Sequence, residues 1–208
     1  MAIAVSDYFK PQQSVSCEEL IKRSRFISLI IPVANRQQAQ QQLEQVKQQH
    51  PQARHHCWAF VAGHPSDSQC LGFSDDGEPS GTAGKPMLAQ LQGSGLGQIL
   101  AVVVRYSGGI KLGTGGLVKA YGGGVQQALK LVESERVVAH GECSLEFEYA
   151  YTAQVESMLE RYKATKLDTQ FSSLAQMQVS LPLSEYEGFK QQLINLSSGQ
   201  IKVGKLLS

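Results

Sequence analysis

The chain has 208 residues, of which 42% are hydrophobic and 18% charged, the composition of an ordinary soluble globular protein. Its formal net charge of +1 excludes a globally basic nucleic-acid-binding chain. No run of about 18 apolar residues occurs and Met1–Lys10 lacks a signal-peptide pattern, so we expect no membrane association. Four scattered cysteines without a C-x-x-C spacing favour free thiols in a reducing compartment, so we expect a cytoplasmic protein.

The first 137 residues alternate between strand and helix patterns. Residues 1–14 are polar and are predicted to be irregular. Asn35 is a suitable N-cap for a helix with one apolar face that Pro51 stops. The continuous apolar run Ile99–Tyr106 predicts a central strand buried on both faces. The other predicted strands are 16–31, 54–63 and 70–73, and the predicted helices are 35–49, 86–93 and 115–134.

The last 71 residues have a different pattern and predict a separate domain, with the boundary near residue 138. Strand patterns at 137–149, 165–171, 174–181 and 200–206 alternate with helix patterns at 152–162 and 184–196. This β-α-β-β-α-β order is typical of a ferredoxin-like fold. The fold class is therefore α+β, with domains at 1–137 and 138–208.

A glycine-rich stretch within the first domain carries the clearest functional signal. Thirteen of the chain's 20 glycines lie between Gly81 and Gly124, and residues 79–132 include five basic residues and no acidic one. Two predicted helices begin directly after glycine-rich turns, where free N–H groups favour anions. The candidate anion- or nucleic-acid-binding residues are Thr82, Lys85, Arg105, Tyr106, Lys111 and Lys119. The rings of Tyr106 and Tyr121 are candidates for stacking on a base. The alternative is that the lysines are only solvated and Tyr121 belongs to a helix core.

An acidic turn precedes this stretch and has three interpretations. Asp75, Asp76 and Glu78 supply carboxylates for Mg²⁺ or for acid–base catalysis, contact a ligand without chemistry, or accept N–H bonds from the glycine-rich loop. Beyond these carboxylates, no obvious further metal ligand stands near them in sequence. The spacings of a P-loop, a dinucleotide-binding G-x-G-x-x-G and a G-x-S-x-G elbow are all absent.

Two further clusters have structural as well as functional interpretations. His55 and His56 are neighbours in a strand and point to opposite faces, so they cannot chelate one metal ion together; we expect one to be bonded or buried and the other exposed. Lys22, Arg23 and Arg25 either contact phosphates or form a charged hairpin that resists aggregation.

Four segments together resemble the YigZ/Impact family. They are Arg54–Cys57, Gly72–Met87, Val104–Gly109 and Leu112–Gly122, and the likeness extends over the whole chain. Many relatives have a second aromatic residue where this chain has Ser107, which leaves Tyr106 as the only candidate for stacking there. The family likeness establishes no catalytic residue, cofactor or metal.

The resemblance implies two folds and a field of activity. The N-terminal domain would be like domain 2 of ribosomal protein S5, with a left-handed β-α-β connection, and the C-terminal domain like domain V of elongation factor G. Eukaryotic Impact relatives regulate translation, but through a partner that is itself eukaryotic. We therefore expect a non-enzymatic protein that binds RNA or the ribosome. The alternatives are an enzyme for a small phosphorylated or metal-bound substrate that uses the acidic turn, and a protein-interaction module.

Overall fold

The computed structural model describes residues 6–207. The chain divides into one compact unit over residues 8–137 and a second from residue 138 onward. The strands of the first unit are β1 Tyr8–Pro11, β2 Val15–Ile21, β3 Ser24–Pro32, β4 His55–Val61, β5 Leu71–Ser74, β6 Ile99–Tyr106 and β7 Ser134–Val137. Its helices are α1 Arg36–Gln49, α2 Gly84–Ser94 and α3 Thr114–Leu129.

Five of these strands form a sheet in the order β2-β3-β6-β4-β5, and every neighbouring pair is antiparallel. Strand β6 lies in the middle. Its odd-numbered residues Ile99, Ala101 and Val103 pack with α2 and α3, whereas its even-numbered residues pack with α1 on the other face. The prediction of a central strand with two buried faces is confirmed.

Helix α1 follows its sequence signals closely. The Asn35 side chain accepts a hydrogen bond from the Gln38 N–H at 2.9 Å, which caps the helix. Ala39, Leu43 and Val46 are buried against the sheet. The predicted N-cap and apolar face are therefore both present.

The strand pair β1–β7 was not predicted. Strand β7 pairs antiparallel with β1, and residue 134, which was predicted to end α3, begins this strand. Helix α3 ends at Leu129. Residues 1–14 were expected to be irregular; this is wrong for Tyr8–Pro11, and residues 1–5 lie outside the described residues. Both strands have only four residues, and three of the four in β7 are polar and exposed, so no hydrophobic alternation marks them.

The second unit has the predicted β-α-β-β-α-β order. Its four-stranded sheet has the order β11-β8-β10-β9, with all neighbours antiparallel. Both helices pack their apolar residues into one core with the odd-numbered residues of the two central strands. The elements are β8 His140–Phe147, α4 Thr152–Arg161, β9 Thr165–Phe171, β10 Ala175–Pro182, α5 Tyr186–Leu196 and β11 Lys202–Val203.

Within residues 6–207, none of the helices has the length and apolar character needed to cross a membrane.

Candidate nucleic-acid interface

Three connections meet at one edge of the first sheet. Strand β5 runs in the same direction as β6, because both are antiparallel to β4, so α2 and α3 begin at the same edge. Strand β3 is antiparallel to β6, with Arg25 opposite Tyr106, so the β2–β3 turn also lies there. We call this edge the helix-start edge; it carries the turn 22–23, the loop 75–83 and the loop 107–113.

Asp75 holds the loop 75–83 together. Its carboxylate accepts hydrogen bonds from the backbone N–H groups of Gly81 at 2.8 Å, Ala83 at 2.9 Å and Gly84 at 2.8 Å. Burial acts to raise the pKa of the Asp75 carboxyl, but these three donors outweigh it and hold the pKa below its usual range. The donors at the start of α2 are thus occupied by the chain's own carboxylate.

Glu78 is buried and forms an ion pair inside the protein. Its Oε1 accepts from Arg105 Nη1 at 2.6 Å and from the Tyr121 hydroxyl at 2.7 Å. Arg105 is only 8% exposed and lies 5.5 Å from the centre of the Phe26 ring. The loop, β6 and α3 are therefore joined through one carboxylate, and the charge of Arg105 is matched within the chain.

Asp76 and the two adjacent histidines extend this network toward the surface. Asp76 Oδ2 accepts from the His56 backbone N–H at 2.6 Å, and the Asp76 carbonyl oxygen lies 2.8 Å from His55 Nδ1. His56 Nε2 lies 3.1 Å from the His50 carbonyl oxygen. The two histidines do point to opposite faces, but the expectation that one is exposed is wrong, because neither is.

The ionisable side chains of this network have their hydrogen-bond partners within the protein. The Cys57 thiol donates to the Asp75 carbonyl at 2.9 Å, and burial raises its pKa to about 12. Burial also raises the pKa of the Tyr121 hydroxyl. In the part of the chain that the structure describes, no three His, Cys, Asp or Glu residues are grouped so as to hold a metal ion. These interactions act as a brace: they hold the segments of the helix-start edge in place.

Lys85 and Lys119 both line a groove between α2 and α3. The groove has a volume of about 590 Å³, and Gly81, Pro86, Gly122 and Gly123 contribute to its lining. Both lysines are exposed. The glycines present no side chains, so the groove is open to a ligand.

The other predicted residues do not line this groove. Lys111 is exposed in the loop 107–113. The Tyr106 hydroxyl is 2.9 Å from His50 Nδ1, and the Arg25 guanidinium lies 5.6 Å from the Tyr106 ring centre. Thr82 is buried and its hydroxyl donates to the Pro79 carbonyl at 2.7 Å. Only two of the six candidate residues therefore share one concave surface.

The two helix starts differ in what they offer an anion. The first amides of α2 already bind Asp75, so the expectation of a free anion site there is wrong. Helix α3 begins after Gly113 without a side-chain cap, and no acidic residue lies in its first turn. Cationic side chains and one uncapped helix start thus share this edge.

Comparison with known proteins places the chain among relatives of the same architecture. Residues 22–129 match the model of the Impact N-terminal domain, and residues 145–200 match a domain of unknown function (DUF1949). An IMPACT family member from Haemophilus influenzae is 49% identical over 96% of this chain and 97% of its own. The chain belongs to the IMPACT family.

Other IMPACT relatives extend the match over nearly the whole length. The family member YigZ from Escherichia coli is 48% identical over 93% of this chain and 95% of its own. The family member YvyE from Bacillus subtilis is 35% identical over 96% and 92%. A crystal structure of a hypothetical protein shares 46% identity with a TM-score of 0.77, covering 96% of this chain and 97% of the other.

Sequence reasoning missed the burial of Arg105, although a signal was present. Arg105 has the same parity in β6 as Val103 and Ala101, so its side chain leaves the sheet toward α2 and α3. A charge at that position requires a buried partner, and Glu78 is 27 residues away in sequence. Strand parity could have shown that Arg105 points inward, but the identity of its partner depends on the fold.

Proposed function

We propose that this protein is a cytoplasmic, non-enzymatic RNA-binding protein that associates with the ribosome and modulates translation. The observation that carries the proposal is the groove between α2 and α3 that is lined by both Lys85 and Lys119, together with three glycines. It belongs to the stretch 79–132, which has no acidic residue. Lysines on an open surface, near backbone that carries no side chains, suit the phosphates of a nucleic acid strand.

Two fold proposals favour RNA over other polyanions, because the folds concerned are those of a ribosomal protein and of an elongation factor. We infer that the first unit has the fold of domain 2 of ribosomal protein S5 and that the second is ferredoxin-like, similar to domain V of elongation factor G. The second inference is supported by the strand order β11-β8-β10-β9 with all neighbours antiparallel. Fold likeness alone does not assign a function, so the lysine groove remains the main support.

The carboxylates of the acidic turn support a bracing role for that turn within the RNA-binding surface. Asp75 accepts three N–H bonds, and Glu78 accepts from Arg105 and Tyr121. Each is committed to donors of the chain itself, so no observation favours the enzyme alternative. The brace would hold the start of α2, and with it Lys85, in place.

The test is fluorescence anisotropy with a labelled single-stranded RNA of about 12 nucleotides, at salt concentrations from about 50 to 200 mM. We expect Lys85→Glu/Lys119→Glu to weaken binding by about tenfold or more at low salt. The matched control is Arg36→Glu/Lys47→Glu, which makes the same charge change in α1 on the other face of the sheet. Absence of wild-type binding, or equal loss in both variants, would refute the proposal.

A further inference from the structure

The β2–β3 turn holds two cationic residues in a strained conformation. Lys22 and Arg23 alone connect Ile21 to Ser24, which are paired across the hairpin. Both have positive φ angles, 46° for Lys22 and 64° for Arg23. Two-residue hairpin turns with two positive φ angles strongly favour Asn-Gly, because a side chain bearing Cβ is strained there. Fold stability alone would therefore favour other residues at these positions.

The same turn packs tightly against the loop that leads into α3. A Cβ atom on Gly108 would lie only 2.1 Å from the Arg23 carbonyl oxygen, so the two backbones are in direct contact. The Gly108 N–H also donates to Ser24 Oγ at 3.1 Å. The loop 107–113 also carries exposed Lys111, so both of the segments in contact here carry cations.

The charges around this cluster leave it positive. Arg25 is paired with Glu18 through two hydrogen bonds of 2.7 and 2.8 Å, and Glu19 is exposed farther along β2. Within residues 6–207, no carboxylate forms an ion pair with Lys22, Arg23 or Lys111. Three exposed cations on two segments that contact each other, with none of them in an ion pair, favour an anionic partner.

We infer that the Lys22–Arg23 turn contacts the phosphate backbone of the RNA that occupies the lysine groove. This inference rests on the proposed function. Strand β3 follows the turn, and its Phe26 ring packs against Tyr121 of α3, the helix that forms one wall of the groove. An extended RNA strand can therefore contact the turn and the groove together. The strained turn is then retained for its charges, as strained backbone at binding sites often is.

The turn offers a variant that separates binding from folding. Lys22→Asn/Arg23→Gly introduces the residues that this turn conformation favours, so we expect a melting temperature equal to or above that of the wild type. We expect RNA affinity to fall several-fold at low salt. The slope of log K against log salt should become less steep by about 1.4, from two lost contacts at about 0.7 each. Lys22→Arg/Arg23→Lys keeps both charges and serves as the matched control.

Each outcome of this experiment has one meaning. The inference is supported if the Asn-Gly variant is folded, binds more weakly and has the reduced slope, while the control binds like the wild type. It is overturned, with the proposed function intact, if the Asn-Gly variant keeps the wild-type slope while Lys85→Glu/Lys119→Glu loses binding. If the wild type binds no RNA, both the inference and the proposed function fail. The exposed cations would then be explained by a protein partner whose association resists nuclease.

Discussion

The buried pair of Glu78 and Arg105 predicts a large stability effect from a small change. Glu78→Ala would leave the Arg105 guanidinium, only 8% exposed, without its carboxylate, and would leave the Tyr121 hydroxyl without its acceptor. An uncompensated buried charge costs about 3–5 kcal/mol. An unsatisfied buried hydroxyl adds about 1–3 kcal/mol. We therefore expect a loss of about 4–8 kcal/mol in the free energy of unfolding, a large part of the stability of a typical domain.

The assay is urea denaturation followed by the fluorescence of Trp58. This is the only tryptophan of the chain, and it lies in β4, so its signal reports the first unit. Glu78→Ala/Arg105→Met removes the orphaned charge, so we expect it to recover at least about 2 kcal/mol relative to Glu78→Ala. Glu18→Ala removes a carboxylate from an exposed pair with Arg25 and should leave the unfolding midpoint close to that of the wild type.

Two results would refute the reasoning about this pair. One is a Glu78→Ala variant whose unfolding midpoint matches the wild type. The other is a double variant less stable than Glu78→Ala, which would mean that the guanidinium is stabilising without its carboxylate. Either result would show that Arg105 has enough access to water to be solvated, and would return it to the set of available cations.

Two further predictions concern the loop and the helix glycines. Because the folded-state pKa of Asp75 is lowered, its stabilising effect is fully present above the unfolded-state pKa of about 4 and is lost as pH falls through the lower folded-state value. Asp75→Asn should therefore reduce the loss of stability at acid pH, measured by unfolding followed through Trp58. An unchanged loss at acid pH would contradict the role given to Asp75. A Cβ on Gly123 meets nothing within 4 Å, whereas one on Gly124 would lie 2.3 Å from Ser28 Oγ. Gly123→Ala should therefore stabilise α3 by up to about 1 kcal/mol, and Gly124→Ala should destabilise the first unit; urea midpoints in the reverse order would contradict this.

Hydrophobic periodicity predicted the core elements well. The apolar run of β6 and the face of α1 were both recognised, because burial on two faces or on one face leaves a direct record in the residue pattern. Such features depend on residues near one another in sequence or on the period of one element.

Partners distant in sequence could not be predicted in the same way. Glu78 and Asp75 lie in one turn, and both looked equally available for a ligand. The fold places Glu78 beneath Arg105 and Tyr121, and Asp75 beneath the start of α2, so their roles depend on how three segments meet. The short strands β1 and β7 were missed for a similar reason, since each is formed mainly through its pairing with the other.

The most direct test of the RNA-binding surface is its location by NMR. An isotope-labelled chain would be titrated with the same short RNA, and the backbone amide shifts would be followed. We expect perturbations confined to the helix-start edge and the lysine groove, at residues 22–23, 81–85, 107–113 and 116–123, and little change along α1 or in the second unit. Perturbations centred on α1 or on the second unit, or none at RNA concentrations well above the protein concentration, would contradict it.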